Sequence, residues 1–167
     1  QMEGIAQRTG RPAFISTVLA MYNAANPALC ASYYEACRAS LARGNPVYML
    51  TNCQPLSFDF SLRDPYLLLS HPAFDAIADV EGEALAEVYR NPRFRAAFRA
   101  NLASPGEGIL FLGDWSRIQI SRCGDPGMAG LNGMTMTELA AARQCDPLDA
   151  FFDVALEDGL QTRFLAR

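Results

Sequence analysis

Apolar residues fall along this chain in stretches of different kinds, and each kind predicts a different element. Arg11-Pro12-Ala13-Phe14-Ile15-Ser16-Thr17-Val18-Leu19 is a short, nearly continuous apolar run rich in strand formers, the composition of a strand buried on both faces. Asn26-Pro27 supplies an N-cap and a first-turn proline. Apolar residues then recur at helical spacing from Ala28 to Arg43, until Gly44 stops them. Pro46 to Asn52 reads as a second buried strand. Strand, helix and strand with short connections make a βαβ unit, and such units build parallel sheets with right-handed crossovers. Ahead of it, Gln1 to Thr9 reads as the tail of a helix with Gly10 as the left-handed residue past its end. That opening does not read like a translation start, so the chain is expected to be cut from a longer one.

From Gln54 to Ser104 the pattern changes. Asp64-Pro65, His71-Pro72 and Asn91-Pro92 each read as a cap followed by proline at the first helical position, predicting several short helices with no strand between them. In the helix beginning at Pro92, an apolar stripe of Phe94, Ala97, Phe98 and Leu102 lies opposite Arg93, Arg95 and Arg99. Those arginines read as a solvated face, with an anion clamp as the alternative. Ile109-Leu110-Phe111-Leu112 and Arg117-Ile118-Gln119-Ile120-Ser121 return to strand composition, the second with polar and apolar residues alternating. Cys123 to Gly133 holds four glycines and Pro126, too many for a regular element, and matches neither the dinucleotide fingerprint nor a P-loop. Thr135-Met136-Thr137-Glu138 has capping-box spacing and opens a helix through Arg143. Asp146-Pro147 opens another, with Leu148, Phe151, Phe152, Ala155 and Leu156 as its buried face and Gly159 as its end. Asp149, Asp153 and Glu157 occupy the other side as a straight row, which diverges into water instead of converging on a metal. The chain thus divides into a βαβ segment at 1–55, a helical insertion at 56–107, and a strand pair, glycine-rich loop and two helices at 108–167.

Composition narrows the choice of partners. The 167 residues are 50% hydrophobic and 19% charged, as in a globular domain, which rules out disorder and a coiled-coil rod. A net charge of -4 leaves no basic field to condense onto phosphates, so nucleic acid and anionic membrane are excluded as expected partners. No apolar run reaches the ~18 residues of a spanning helix, and no basic stretch followed by an apolar one marks a signal peptide at Gln1 to Ile5. The five cysteines form no C-x-x-C and have no histidine near them, so neither a disulfide framework nor a zinc finger is signalled, and a reducing, cytoplasmic setting is expected. Cys30 and Cys37 lie on one predicted helix face with Tyr33, Tyr34 and Leu41 and read as small buried hydrophobes.

Candidate chemistry is sparse. His71 is the single histidine, so a Ser-His-Asp or Cys-His machine, or a histidine-ligated metal, would have to be built on it, and one histidine cannot make a hydrolase zinc site. Its place before Pro72 favours a role in opening the helix there over that of a general base. The residues by themselves describe an α/β domain of undefined function.

Three stretches together resemble the amidohydrolase superfamily of metal-dependent (β/α)8-barrel enzymes, in the branch of N-acyl-D-amino-acid deacylases. Thr9-Gly10-Arg11-Pro12 and Gly44-Asn45-Pro46-Val47 leading to Pro55 are similar to two consecutive barrel units. Ser70-His71-Pro72-Ala73-Phe74 and Arg90-Asn91-Pro92-Arg93-Phe94-Arg95 resemble segments of that branch. The third and most specific stretch runs from Gly113-Asp114-Trp115 through Gly124-Asp125-Pro126, Leu131-Asn132-Gly133 and Glu138-Leu139-Ala140 to Asp146-Pro147-Leu148-Asp149-Ala150 and Leu156-Glu157-Asp158.

The resemblance implies a partial (β/α)8 TIM-barrel segment carrying a mainly helical insertion, about the middle third of an enzyme that hydrolyses the amide bond of small N-acyl amino acids. Zinc or another divalent metal would serve the parent enzyme. Its H-x-H ligand pair would lie before Gln1 and its catalytic aspartate beyond Arg167, so catalytic residues are expected outside this chain and no metal is expected within it. Where relatives carry a zinc-binding histidine and a carboxylate-holding lysine, this chain has Thr17 and Leu19, and where some carry arginine before the proline it has Gln54. A threonine hydroxyl is a weak zinc ligand, so the parent's metal site is single, rearranged or absent. Thr17, Asn52 and Gln54, at the C-terminal ends of the two strands, are the expected substrate-side residues. The insertion would fold over them as a lid, with His71 near its opening. The bland alternative is that Thr17 and Asn52 satisfy strand-end backbone groups. The competing functional reading is a non-catalytic ligand-binding or assembly module on a degenerate amidohydrolase scaffold. Two barrel units cannot close a barrel, so self-association is expected to cover the open sheet edges.

Overall fold

The computed structural model describes residues 1–16, 28–50, 57–106 and 108–167. The architecture is α/β, with about half of the chain helical and two small sheets. The chain separates into two units, residues 1–56 and 57–167.

In the first unit, helix α1 (Met2–Thr9) ends on Gly10 at φ 67°, the left-handed position that glycine occupies without steric cost. Strand β1 (Ala13–Ile15), helix α2 (Ala28–Ala42) and strand β2 (Val47–Met49) follow, and the two strands pair in parallel with Ala13 opposite Val47 and Ile15 opposite Met49. Ala6, Ala13, Cys37 and Val47 form a small core, joined by half-buried Met2, Ile15 and Met49. The Asn26-Pro27 cap lies outside the described residues. The expectation of strands buried on both faces is corrected. Burial alternates, and Phe14 and Tyr48 are 55% and 43% exposed, stacked on each other at 5.5 Å. An apolar run cannot tell a covered second face from one lined by exposed aromatics. The expected buried face of α2 is likewise corrected: Cys37 and Ser40 are buried, but Tyr34 and Leu41 are exposed. Alanine, cysteine and tyrosine surround this helix on all sides, so no single stripe stands out.

The second unit is a three-stranded antiparallel sheet with helices on one face. Strand β3 (Phe58–Phe60) pairs with β5 (Arg163–Ala166), which pairs with β4 (Ile118–Arg122). Phe60, Ile118, Ile120, Phe164 and Ala166 alternate onto the buried face. There they meet α3 (Gly82–Arg90), α4 (Pro92–Ala103), α5 (Met136–Arg143) and α6 (Pro147–Glu157). The core is mainly aromatic, with Phe74, Tyr89, Phe94, Phe98, Phe151 and Phe152 packed ring on ring. Three caps form as their sequences predict. Asn91 accepts from the Arg93 N–H, Asp146 accepts from the Leu148 N–H, and Thr135 and Glu138 close a capping box.

The 56–107 stretch is mainly helical and carries β3 ahead of its helices, which share one core with residues 108–167. A strand of three residues whose partner is about a hundred positions away leaves no local signature. Asp64-Pro65 opens no helix but a run of turns, and Pro72–Ile77 forms a 3₁₀-helix. Ile109 to Leu112 is irregular, and the glycine-rich stretch winds into a 3₁₀-helix at Pro126–Leu131. Neither sheet closes into a barrel among the described residues.

Candidate functional site

Three of the four expected substrate-side residues, Thr17, Asn52 and Gln54, lie outside the described residues, as does Leu19. The fourth, His71, stands at the head of the 3₁₀-helix without capping it through its side chain. The ring is fully buried against Phe98, edge-on at 4.9 Å and 83°. Nε2 lies 2.9 Å from the Phe111 carbonyl oxygen, which can only accept, so Nε2 carries the proton and the ring is the neutral Nε2–H tautomer. Nδ1 is buried and has no hydrogen-bond partner among the described residues. Burial pushes the imidazole pKa below its ordinary value, with the Phe111 contact opposing more weakly. His71 therefore acts as a structural donor that pins residues 108–113 to the helical layer.

The polar feature with most structure lies between α4 and α6. Arg90, Pro92, Arg95, Arg99, Asp149, Asp153 and Leu156 line an open groove of about 580 Å³. The arginine face and the carboxylate row, each expected to face water, face each other. Arg95 binds Asp149 at 3.1 Å and Asp153 at 2.7 Å, donates Nε to the Tyr89 carbonyl at 2.8 Å, and lies 5.3 Å above the Phe152 ring. Its side chain is 13% exposed. Arg99 binds Asp146 and Asp149, Arg90 binds Glu83 and Glu87, and Glu157 pairs with Arg143. These carboxylates neutralise the guanidinium groups, so the groove offers no net positive charge to an anion.

A second buried polar cluster anchors the glycine-rich loop. Asp158, 3% exposed, accepts from the Gly124 and Asp125 N–H groups at 2.8 and 2.7 Å and from the Thr162 hydroxyl at 2.7 Å. Three donors satisfy the buried carboxylate without a cation. A Cβ at position 124 would fall 2.6 Å from the Gln161 Cβ, so only glycine admits this approach. Beside it, burial and the nearby Asp158 and Asp125 raise the pKa of the Cys123 thiol, which disfavours a thiolate. Neither the Arg95 lock nor the Asp158 anchor was read from the sequence. Their one local trace is the spacing of Asp149, Asp153 and Glu157, which marks the α6 face that meets the arginines and gives no sign of the anchor at Asp158.

No group of three or more histidine, cysteine, aspartate or glutamate side chains is placed to hold a metal among the described residues. The buried, single-nitrogen environment of His71 does not fit a zinc ligand set. No helix among the described residues is long and apolar enough to cross a membrane. No protein-family model, curated protein or solved structure matches the chain.

Proposed function

We propose that these residues are a segment of a metal-dependent amidohydrolase of the N-acyl-D-amino-acid deacylase branch, whose complete form hydrolyses the amide bond of small N-acyl amino acids. The observation that carries this reading is the parallel pairing of β1 with β2 across α2. It falls at the stretch where the resemblance expects two consecutive units of a (β/α)8 barrel. In the complete enzyme a divalent metal, zinc by the resemblance, would supply an activated water. Its ligands and the catalytic aspartate belong to parts of that enzyme outside these residues. Thr17, Asn52 and Gln54 are proposed on the substrate side, at the C-terminal ends of the strands.

A second reading, a non-catalytic ligand-binding or assembly module, draws support from the second unit. There the single histidine is a buried donor and the arginines of the α4–α6 groove are all bound by carboxylates. One experiment separates the two. The longest natural chain containing these residues is loaded with zinc and offered N-acetyl-D-amino and N-acetyl-L-amino acids. Chelator-sensitive release of the free amine supports the enzyme. Binding without hydrolysis supports the module, and the absence of both binding and hydrolysis refutes both readings. The 167-residue chain by itself is expected to be inactive and to hold no stoichiometric zinc. One zinc per chain by metal analysis would count against the segment reading. Self-association of that chain is also expected, and a monodisperse monomer in light scattering from micromolar to millimolar concentration would oppose it.

A further inference from the structure

Residues 70–71 and 110–111 form a clasp. The Ser70 hydroxyl oxygen accepts from the Leu110 N–H at 3.2 Å, and His71 Nε2–H donates to the Phe111 carbonyl at 2.9 Å. The clasp holds Phe111 buried between two exposed residues, Leu110 and Leu112. Behind it the Phe111 ring stands edge-on to Trp115 at 4.9 Å, and Trp115 in turn meets Phe98, the ring on which His71 rests. The clasp works only with a neutral ring. A second proton would sit on Nδ1, which is buried and has no acceptor among the described residues, in a ring that rests on Phe98.

Among the described residues no charged group compensates that proton. Helix α4 carries Arg93, Arg95 and Arg99, of which Arg95 and Arg99 are held by carboxylates of α6. The 3₁₀-helix and its end carry Asp75 and Asp79, both exposed. Helix α3 carries Glu83 and Glu87, bound to Arg90. In the turns at 61–70, Arg63 donates to the Gly159 carbonyl and Asp64 is exposed. Asp114 is engaged by Ser116 and Arg117. None forms an ion pair with His71 among the described residues.

We propose that the second unit is built with a proton-operated clasp, in which protonation of His71 releases residues 108–113 and uncovers Phe111 between the already exposed Leu110 and Leu112. The closed state binds the neutral ring and the open state the charged one, so opening is unaffected well above the ordinary histidine value of about 6.5. Below it, the open fraction rises about tenfold for each pH unit until the buried ring itself titrates.

The chain carries one histidine and one tryptophan, so both partners can be watched without ambiguity. Trp115 emission and far-ultraviolet circular dichroism of the full chain are followed from pH 8 to pH 5. Ring ¹⁵N correlations of His71 are recorded in parallel, together with a His71→Gln variant that keeps a donor and cannot titrate. The expected result is a neutral Nε2–H tautomer at pH 8, a red shift of Trp115 on acidification with helical dichroism retained, and no such shift in His71→Gln. An equal shift in His71→Gln overturns the proposal, as does simultaneous loss of dichroism, which would mean global unfolding. If the variant fails to fold, the wild-type chain decides: ring protonation that leaves Trp115 emission unmoved refutes the clasp, and protonation that tracks the emission supports it.

Discussion

Replacing Arg95 by alanine removes four contacts at once, and their geometry sets the size of the effect. Asp153 loses its one ion-pair partner among the described residues, whereas Asp149 keeps Arg99. The Tyr89 carbonyl loses a 2.8 Å donor and Phe152 loses the guanidinium above its ring. Exposed ion pairs contribute about 0–1 kcal/mol, and breaking a buried one costs about 3–5 kcal/mol. With Arg95 at 13% exposure but Asp153 at 45%, the network falls between these limits, and its hydrogen bonds and cation–π contact bring the expected loss to about 2–3 kcal/mol. Arg93 is exposed on the same helix and forms no ion pair among the described residues, so Arg93→Ala is expected to stay within about 0.5 kcal/mol of the parent. Arg95→Lys keeps the charge but cannot span three acceptors, and should lose about half as much as alanine. Urea unfolding of the full chain, followed through Trp115 in the same core, measures all three. A stabilising role for Arg95 is refuted if Arg95→Ala and Arg93→Ala are equally stable. It is also refuted if molar salt erases their difference, since that is how a solvated pair behaves.

Gly124→Ala forces a Cβ to 2.6 Å from that of Gln161 and should destabilise the second unit by about 1–3 kcal/mol, measured by the same urea titration. Asp158→Asn turns a three-donor acceptor into a group with one oxygen, and a loss of about 2–4 kcal/mol is expected from the midpoint shift. Hydrogen bonds from Arg43 and Asn45 hold the Glu3 carboxyl down at about 2, so the tie from α1 to the end of α2 is present above the ordinary glutamate range. That tie should be lost only as pH falls toward 2. A ¹³C carboxyl titration of Glu3 with a midpoint near the ordinary value would contradict it.

The legible parts of this fold are those whose cause is local. Gly10 past α1, the Asn91 and Asp146 caps and the Thr135–Glu138 box could be read because each motif satisfies backbone groups within a few residues of itself. The parallel β1–β2 pair was readable for a related reason: a helix between two short apolar runs leaves few topologies open. His71 stands out in the sequence as the one imidazole, but its partner Phe111 is 40 positions away, in a stretch that reads as a strand and is irregular.

What the amino-acid order determined by itself is therefore the helices, their ends and the aromatic stripe that α4 and α6 turn inward, since periodicity and capping act over one or two turns. Tertiary structure alone decided what those helices do with their polar faces. Three arginines on α4 and a carboxylate row on α6 are each, taken singly, a face suited to water. Packing the apolar stripes together brings Arg95 and Arg99 against Asp146, Asp149 and Asp153, more than forty positions apart in sequence. The same holds for β3, whose three residues become a strand only when β5 arrives beside them. An ion pair or a ladder depends on which segment lies opposite, and that is a property of the folded chain that no window of its sequence contains.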